Sequence, residues 1–141
     1  MSSTQSIVFD TSALIRRYLP DRDRSLVIDA MSTGGEWAAS SLARTELQLA
    51  LHLAAPTALA QRQTWQAVRD DWEAIWEIPV DHRCLSRASE IGARYGIGVT
   101  AAIHLAAADR LPRPIQFVTF ERQQIPAAAD LGFSLVSPFS D

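Results

Sequence analysis

Lysine is absent: all 13 basic residues are arginine. A nucleotide-binding P-loop is therefore excluded, since its Gly-x-x-x-x-Gly-Lys-Ser/Thr run needs the amine and no such run occurs. Cysteine is limited to Cys84, which rules out an internal disulfide and agrees with a reducing compartment. No base is patterned beside it, so it reads as a small core residue. Long apolar runs are also missing. No stretch reaches the roughly 18 residues of a membrane span, and Met1 to Ser6 lacks the positive charge and apolar run of a secretory leader. The expectation is a cytoplasmic protein with no membrane partner. Positive charge is not in excess either: a net charge of −3 leaves no general field for nucleic acid, so any phosphate affinity must be local. A zinc cluster is excluded by spacing. His52, His82 and His104 have no Cys or His partner at ligand spacing and read as surface or packing residues.

What is present is ordinary globular composition, 48% apolar and 21% charged, in a length that suits one domain spanning 1–141. Ser6-Ile-Val-Phe is a strand stopped by Asp10-Thr-Ser, and Ala13 to Leu19 is helical until Pro20. Asp21 to Ser32 reads as a second helix, Glu36 to Ser40 as a strand, and Leu42 to Ala54 as a helix capped by Ser40 or Ser41. After Pro56 an amphipathic helix runs to about Trp76. Trp65, Trp72 and Trp76, spaced seven and four apart, then share a face that packs on the core, with an aromatic partner groove as the other role. Glu77-Ile-Pro-Val is a brief strand, Asp81 to Tyr95 a helix ending at Gly96, and Thr100 the cap of a helix over Ala101 to Arg110. Ile115 to Phe120 is a strand, Glu121 to Leu131 is helical, and Phe133 to Val136 is a last strand. Such alternation predicts an α/β fold with a mostly parallel central sheet flanked by helices, because parallel neighbours need crossovers.

In open α/β sheets the functional crevice lies beyond the carboxyl ends of the strands. Asp10 follows the first strand and Glu121 the strand ending at Phe120, so both belong to that edge. An Asp before Thr-Ser-Ala also suits a helix cap. Glu46 lies on a helical stripe with Leu42, Leu49 and Leu53, and a carboxylate there needs an arginine, a cation or contact with water. Three carboxylates from separate elements would form a hard oxygen site suited to Mg²⁺ or Mn²⁺.

Four segments, Val8-Phe-Asp-Thr-Ser-Ala-Leu, Ser41-Leu-Ala-Arg-Thr-Glu-Leu, Ala101-Ala-Ile-His-Leu-Ala and Phe117-Val-Thr-Phe-Glu, span nearly the whole chain. In that order they resemble the PIN-domain ribonucleases, particularly the VapC-like toxins of type II toxin–antitoxin pairs. The resemblance implies a single PIN-like domain and hydrolysis of RNA phosphodiesters dependent on Mg²⁺ or Mn²⁺. It carries over Asp10, Glu46 and Glu121 as catalytic metal ligands. It further implies a cognate antitoxin that occludes the crevice, and a homodimer. One position departs from the pattern: the family's third Asp falls on Ala101, whose methyl group cannot bind metal. Asp109, eight residues further along a helix, is about 12 Å away and no substitute. The expectation is weak metal binding and slow cleavage. The alternative is a catalytically inactive PIN-like domain that binds RNA or protein.

Arg16, Arg17 and Arg44 lie close to these carboxylates in sequence and are candidates for RNA phosphate contacts, with surface solubility as the other role. Thr11 and Ser12 can cap the first helix or orient water. Receiver domains and haloacid-dehalogenase-like phosphatases also set aspartates at strand ends, but both depend on a lysine. The phosphatase pattern also needs a second Asp where Ser12 stands.

Overall fold

The structure, a computed structural model, describes residues 5–139. Met1–Thr4, part of the segment read for a secretory leader, and Ser140–Asp141 lie outside it. Its strands are β1 (Ser6–Phe9), β2 (Glu36–Ser40), β3 (Trp76–Ile78), β4 (Ile115–Val118) and β5 (Ser134–Val136). They form one sheet, ordered β3-β2-β1-β4-β5, in which every pairing is parallel. Alternate side chains of a strand point to opposite faces, and the apolar strands split accordingly. Ile7, Phe9, Ala39 and Val118 join one core, whereas Val8, Ala38 and Phe117 join the other.

Helices cover both cores. The first is closed by α1 (Thr11–Tyr18), α2 (Arg24–Met31), α3 (Ser41–Ala54) and α4 (Ala58–Trp72), through Leu14, Val27, Leu47 and Val68. The second is closed by α5 (His82–Tyr95), α6 (Val99–Asp109) and α7 (Ile125–Asp130). Every residue of α6 from Ala101 to Ala108 is buried, as expected of a helix apolar on all sides, and its alanines let α5 and β2 approach closely. Two glycines are needed by geometry. Gly96 ends α5 at φ +64, a conformation costly for residues with a Cβ. A Cβ on Gly35 would lie 2.6 Å from the Gln5 carbonyl oxygen, where the chain enters β2.

Three expectations are corrected here. Trp76 is not helical: α4 stops at Trp72, a turn over residues 73–75 reverses the chain, and Trp76 opens β3 opposite Ala38, 69% exposed. Of these three tryptophans, Trp65 and Trp72 rest on the core. Thr100 is not a cap; Gly98 occupies that position and Thr100 lies inside α6, exposed. Leu49 and Leu53 face solvent at 60% and 76% exposure, because the buried stripe of α3 is Ala43, Leu47 and Leu51. Glu46 thus sits at the rim of that stripe, not on it.

One polar clamp holds α1 against α4. Arg17 donates to Asp71 from Nε at 2.6 Å and Nη2 at 3.1 Å, and the Tyr18 hydroxyl donates to Asp71 Oδ2 at 2.7 Å. Burial pulls the Asp71 carboxyl upward, but the Arg17 and Tyr18 donors outweigh it and hold the pKa below its usual value. Burial and the same carboxylate push the Tyr18 phenol up. Asp71→Ala strands a half-buried guanidinium and hydroxyl, so chemical denaturation should show a loss of about 1–3 kcal/mol. A loss of zero would mean that apolar packing alone joins the two helices.

Candidate active site

Because β1 lies between β2 and β4, the residues that leave these three strands meet along one edge. Asp10 follows β1, Ser40 closes β2, and Thr119 follows β4. Asp10 is 1% exposed and caps α1: its Oδ1 accepts from the Ala13 amide at 3.1 Å and from the Ser12 hydroxyl at 2.6 Å. Ser12 in turn accepts from the Phe120 amide at 2.8 Å. The cap is thus Asp10, one of the roles expected of it, and neither Thr11 nor Ser12, to which capping was also assigned; Ser12 ties Asp10 to the end of β4.

The second oxygen of Asp10 meets a hydroxyl with only one proton to give. Thr119 Oγ1 lies 3.0 Å from Asp10 Oδ2 and 2.5 Å from Gln124 Oε1, and it accepts from the Glu121 amide at 3.0 Å. Gln124, fully buried, is fixed the other way round, its Nε2 donating to the Ala101 carbonyl at 3.2 Å. The Thr119 proton therefore serves Asp10 or Gln124, not both. Burial raises the Asp10 pKa above its ordinary 3.8, against the lowering influence of Ser12, His104, Ala13 and Thr119.

Two groups meet one oxygen of Glu46: Thr11 Oγ1 donates to Oε1 at 2.7 Å, and His104 Nε2 lies 2.8 Å from the same atom. The His104 hydrogen bond and, after it, that of Thr11 overcome partial burial and lower the Glu46 pKa. The partner that a carboxylate at this position requires is thus a histidine and a hydroxyl rather than an arginine. His104, 5% exposed, is the residue that spacing arguments passed over, while His52 and His82 are exposed. The signal was available, since His104 is the lone hydrogen-bonding side chain in the apolar run from Ala101 to Ala108, and a buried polar group must find partners. Gln124 and Thr119 carried no comparable signal.

Ala101 is buried at the first turn of α6, one hydrogen bond from Gln124. Glu121, half-buried, follows β4 and is linked to Asp10 only through its amide and Thr119. Asp109 is engaged elsewhere, by Arg87 at 3.0 Å and Arg113 at 2.6 Å. Arg16 folds back onto its own helix. It donates to the Ser12 carbonyl at 2.5 Å and stacks 4.2 Å from the Phe120 ring centre, with Nε 3.4 Å from Asp21 but lacking hydrogen-bond geometry. Arg44, two residues before Glu46 and so on the other side of α3, lies 3.7 Å from Glu77 with its side chain 45% exposed. Cys84 is buried, and burial pushes its thiol up.

Among the described residues, no three His, Cys, Asp or Glu side chains converge as a metal-binding group. The donor chemistry still suits a hard divalent cation held loosely. Asp10 and Glu46 flank Thr11, Glu46 Oε2 takes no protein hydrogen bond among the described residues, and Mg²⁺ is often held by only one or two carboxylates and water. Asp10 and Glu46 would be its holders.

Comparison with known proteins agrees with this architecture. Structures similar to this one include a toxin–antitoxin complex from Klebsiella pneumoniae, at TM-score 0.70 and 18% identity, covering 96% of this chain and 99% of that one. VapBC2 from Rickettsia felis bound to a promoter DNA fragment matches at 0.68 and 14%, covering 94% and 98%. FitAcB from Neisseria gonorrhoeae matches at 0.70 and 15%, covering 94% and 97%. At such identities the likeness speaks for the fold. No curated protein matches the sequence. Residues 7–129, however, match the PIN domain as a sequence family, and with that span matched the chain belongs to the PIN domain family.

Proposed function

We propose that this chain is a VapC-like toxin of a type II toxin–antitoxin pair, a cytoplasmic endoribonuclease dependent on Mg²⁺ or Mn²⁺ whose site is one carboxylate short at Ala101. The observation that carries the reading is the hydrogen-bonded cluster gathered where β1, β2 and β4 end. Asp10 and Glu46 are each held by neighbouring polar groups on either side of Thr11, and the Ala101 carbonyl accepts from Gln124, whose Oε1 competes with Asp10 for the Thr119 proton. The similar Klebsiella pneumoniae structure is a toxin–antitoxin complex, and a further one, from Mycobacterium tuberculosis, is a member of the VapBC family of toxin–antitoxin systems, which supports an antitoxin as partner.

In this reading Asp10 and Glu46 would hold the cation, and Glu121, whose carboxylate accepts from Gln123 Nε2 at 3.3 Å, would have to leave that partner to join them. A divalent cation there supplies Lewis-acid activation of water and countercharge for the phosphate. Ser12 and the Ala13 amide orient Asp10; Thr11 and His104 orient Glu46. Arg44 keeps an exposed guanidinium for RNA, whereas Arg16 would have to leave Ser12 and Phe120 to reach a phosphate. The homodimer belongs to the same proposal. A serine-hydrolase reading of Ser40, His104 and Glu46 fails. Ser40 is 1% exposed and its hydroxyl caps α3 through the Ala43 amide at 3.0 Å, so no substrate carbonyl reaches it. An inactive domain that binds RNA or protein is the competing reading, favoured by the methyl group at position 101.

The toxin assignment is tested by induced expression. The chain as it stands should be tolerated, Ala101→Asp should arrest growth, and adding Asp10→Asn to that variant should restore it. Unimpaired growth with well-expressed Ala101→Asp would favour the binding domain.

A further inference from the structure

His104 touches two residues of the α3 arm, and its ring nitrogens have different surroundings. Nδ1 lies 3.0 Å from Ser40 Oγ, and Nε2 lies 2.8 Å from Glu46 Oε1. The Ser40 oxygen already accepts from the Ala43 amide, so its own proton is free for one acceptor. Nδ1 is the acceptor within reach. With the Ser40 proton there, the neutral ring carries its hydrogen on Nε2 and donates it to Glu46, so that Ser40 Oγ, both ring nitrogens of His104 and Glu46 Oε1 are all paired. The opposite neutral tautomer would present a bare Nε2 to a carboxylate oxygen, two acceptors face to face.

We infer that Ser40 and His104 form a positioning relay: Ser40 at the N-terminus of α3 fixes the His104 tautomer, and His104 fixes the Glu46 carboxylate. Thr11 donates to the same Oε1, so both donors hold one oxygen and leave Oε2 without a protein partner among the described residues. That arrangement suits a carboxylate that must offer one oxygen to a ligand while its rotamer stays locked. His104 is also near a third element, 3.4 Å from Thr11 Oγ1, so a single buried ring spans the ends of β1 and β2 from α6. The ligand-facing part of this inference rests on the proposed nuclease reading; the tautomer does not.

Long-range ¹H–¹⁵N spectra of the protein as it stands should show His104 protonated at Nε2, with Nδ1 shifted as a hydrogen-bond acceptor. Protonation at Nδ1, alone or together with Nε2, would overturn the relay. In the Ala101→Asp background, Mn²⁺ titration should show affinity falling about 10–100-fold for His104→Leu, while His104→Gln, whose amide can still donate to Glu46, retains most of it. Equal losses, or no loss in either, would overturn the positioning role. Should His104→Leu fail to fold, His104→Gln against the parent and the spectra still decide. If Ala101→Asp binds no Mn²⁺, the nuclease reading fails while the spectra continue to judge the relay.

Discussion

Asp10→Asn should make this protein more stable while removing what remains of its capacity for metal. The side chain is buried at 1% exposure, and its carboxyl is raised in pKa chiefly by that burial. An asparagine Oδ1 keeps the Ser12 and Ala13 donors. Its Nδ2 then donates to Thr119 Oγ1, which releases the single Thr119 proton to Gln124 and ends the competition between two acceptors. Relief of this kind at a functional site is worth about 0.5–2 kcal/mol, or roughly 2–6 °C in Tm for a domain of this size. The pH dependence has a definite sign. A carboxyl with a higher pKa folded than unfolded binds more protons in the native state, so its contribution falls as pH rises from 3.8 through the raised value. The asparagine variant should lose that slope, and its advantage over the parent should be larger at pH 7 than at pH 4. A variant less stable than the parent at pH 7 would mean that the ionised carboxylate stabilises the fold.

Ala101→Asp should act in the opposite sense. Position 101 is 3% exposed, and its carbonyl accepts from Gln124, which competes with Asp10 for the Thr119 proton. A third carboxylate there is desolvated and set near like charge, both of which disfavour it. The variant alone should lose about 1–3 kcal/mol, as is usual when an unpaired polar group is buried. Mn²⁺ should restore that loss and more, because a ligand that binds only the native state stabilises it by RT ln(1 + [L]/Kd), about 2.7 kcal/mol at 100 times Kd. The chain as it stands should gain far less from the same Mn²⁺. Identical metal-induced shifts in Tm for the two proteins would show that residue 101 takes no part in the site.

Most of the architecture was legible because it follows from short-range rules. Apolar strands punctuated by Asp10-Thr-Ser, Gly35 and Pro114, and crossover helices between them, leave a parallel sheet as the economical solution, and each of its five strands overlaps the segment expected. The misreadings also have physical causes. Trp76 lies on the helical period of Trp65 and Trp72, but periodicity does not register the turn over residues 73–75 that sends it into β3. Leu49 and Leu53 looked like a core stripe because hydrophobicity alone does not reveal that Ala43, Leu47 and Leu51 already fill the available space. Asp10 and Glu46 stood out by their places beyond a strand and beside a stripe. Their distant partners did not, since Thr119 and His104 are brought in by the end of β4 and by α6, across 109 and 58 positions of sequence. Nothing local in the chain encodes such contacts.

The central claim, a PIN nuclease crevice silenced at one position, is tested most directly by cleavage of structured RNA. The protein as it stands and Ala101→Asp would each be assayed with Mg²⁺, with Mn²⁺ and with excess chelator. Ala101→Asp should cleave in either metal at least about 100-fold faster than the parent, consistent with a few kcal/mol of electrostatic stabilisation, and not at all in chelator. Equal rates for the two proteins would mean that another group completes the site. Absence of cleavage by folded, Mn²⁺-binding Ala101→Asp on a range of RNAs would contradict the nuclease account.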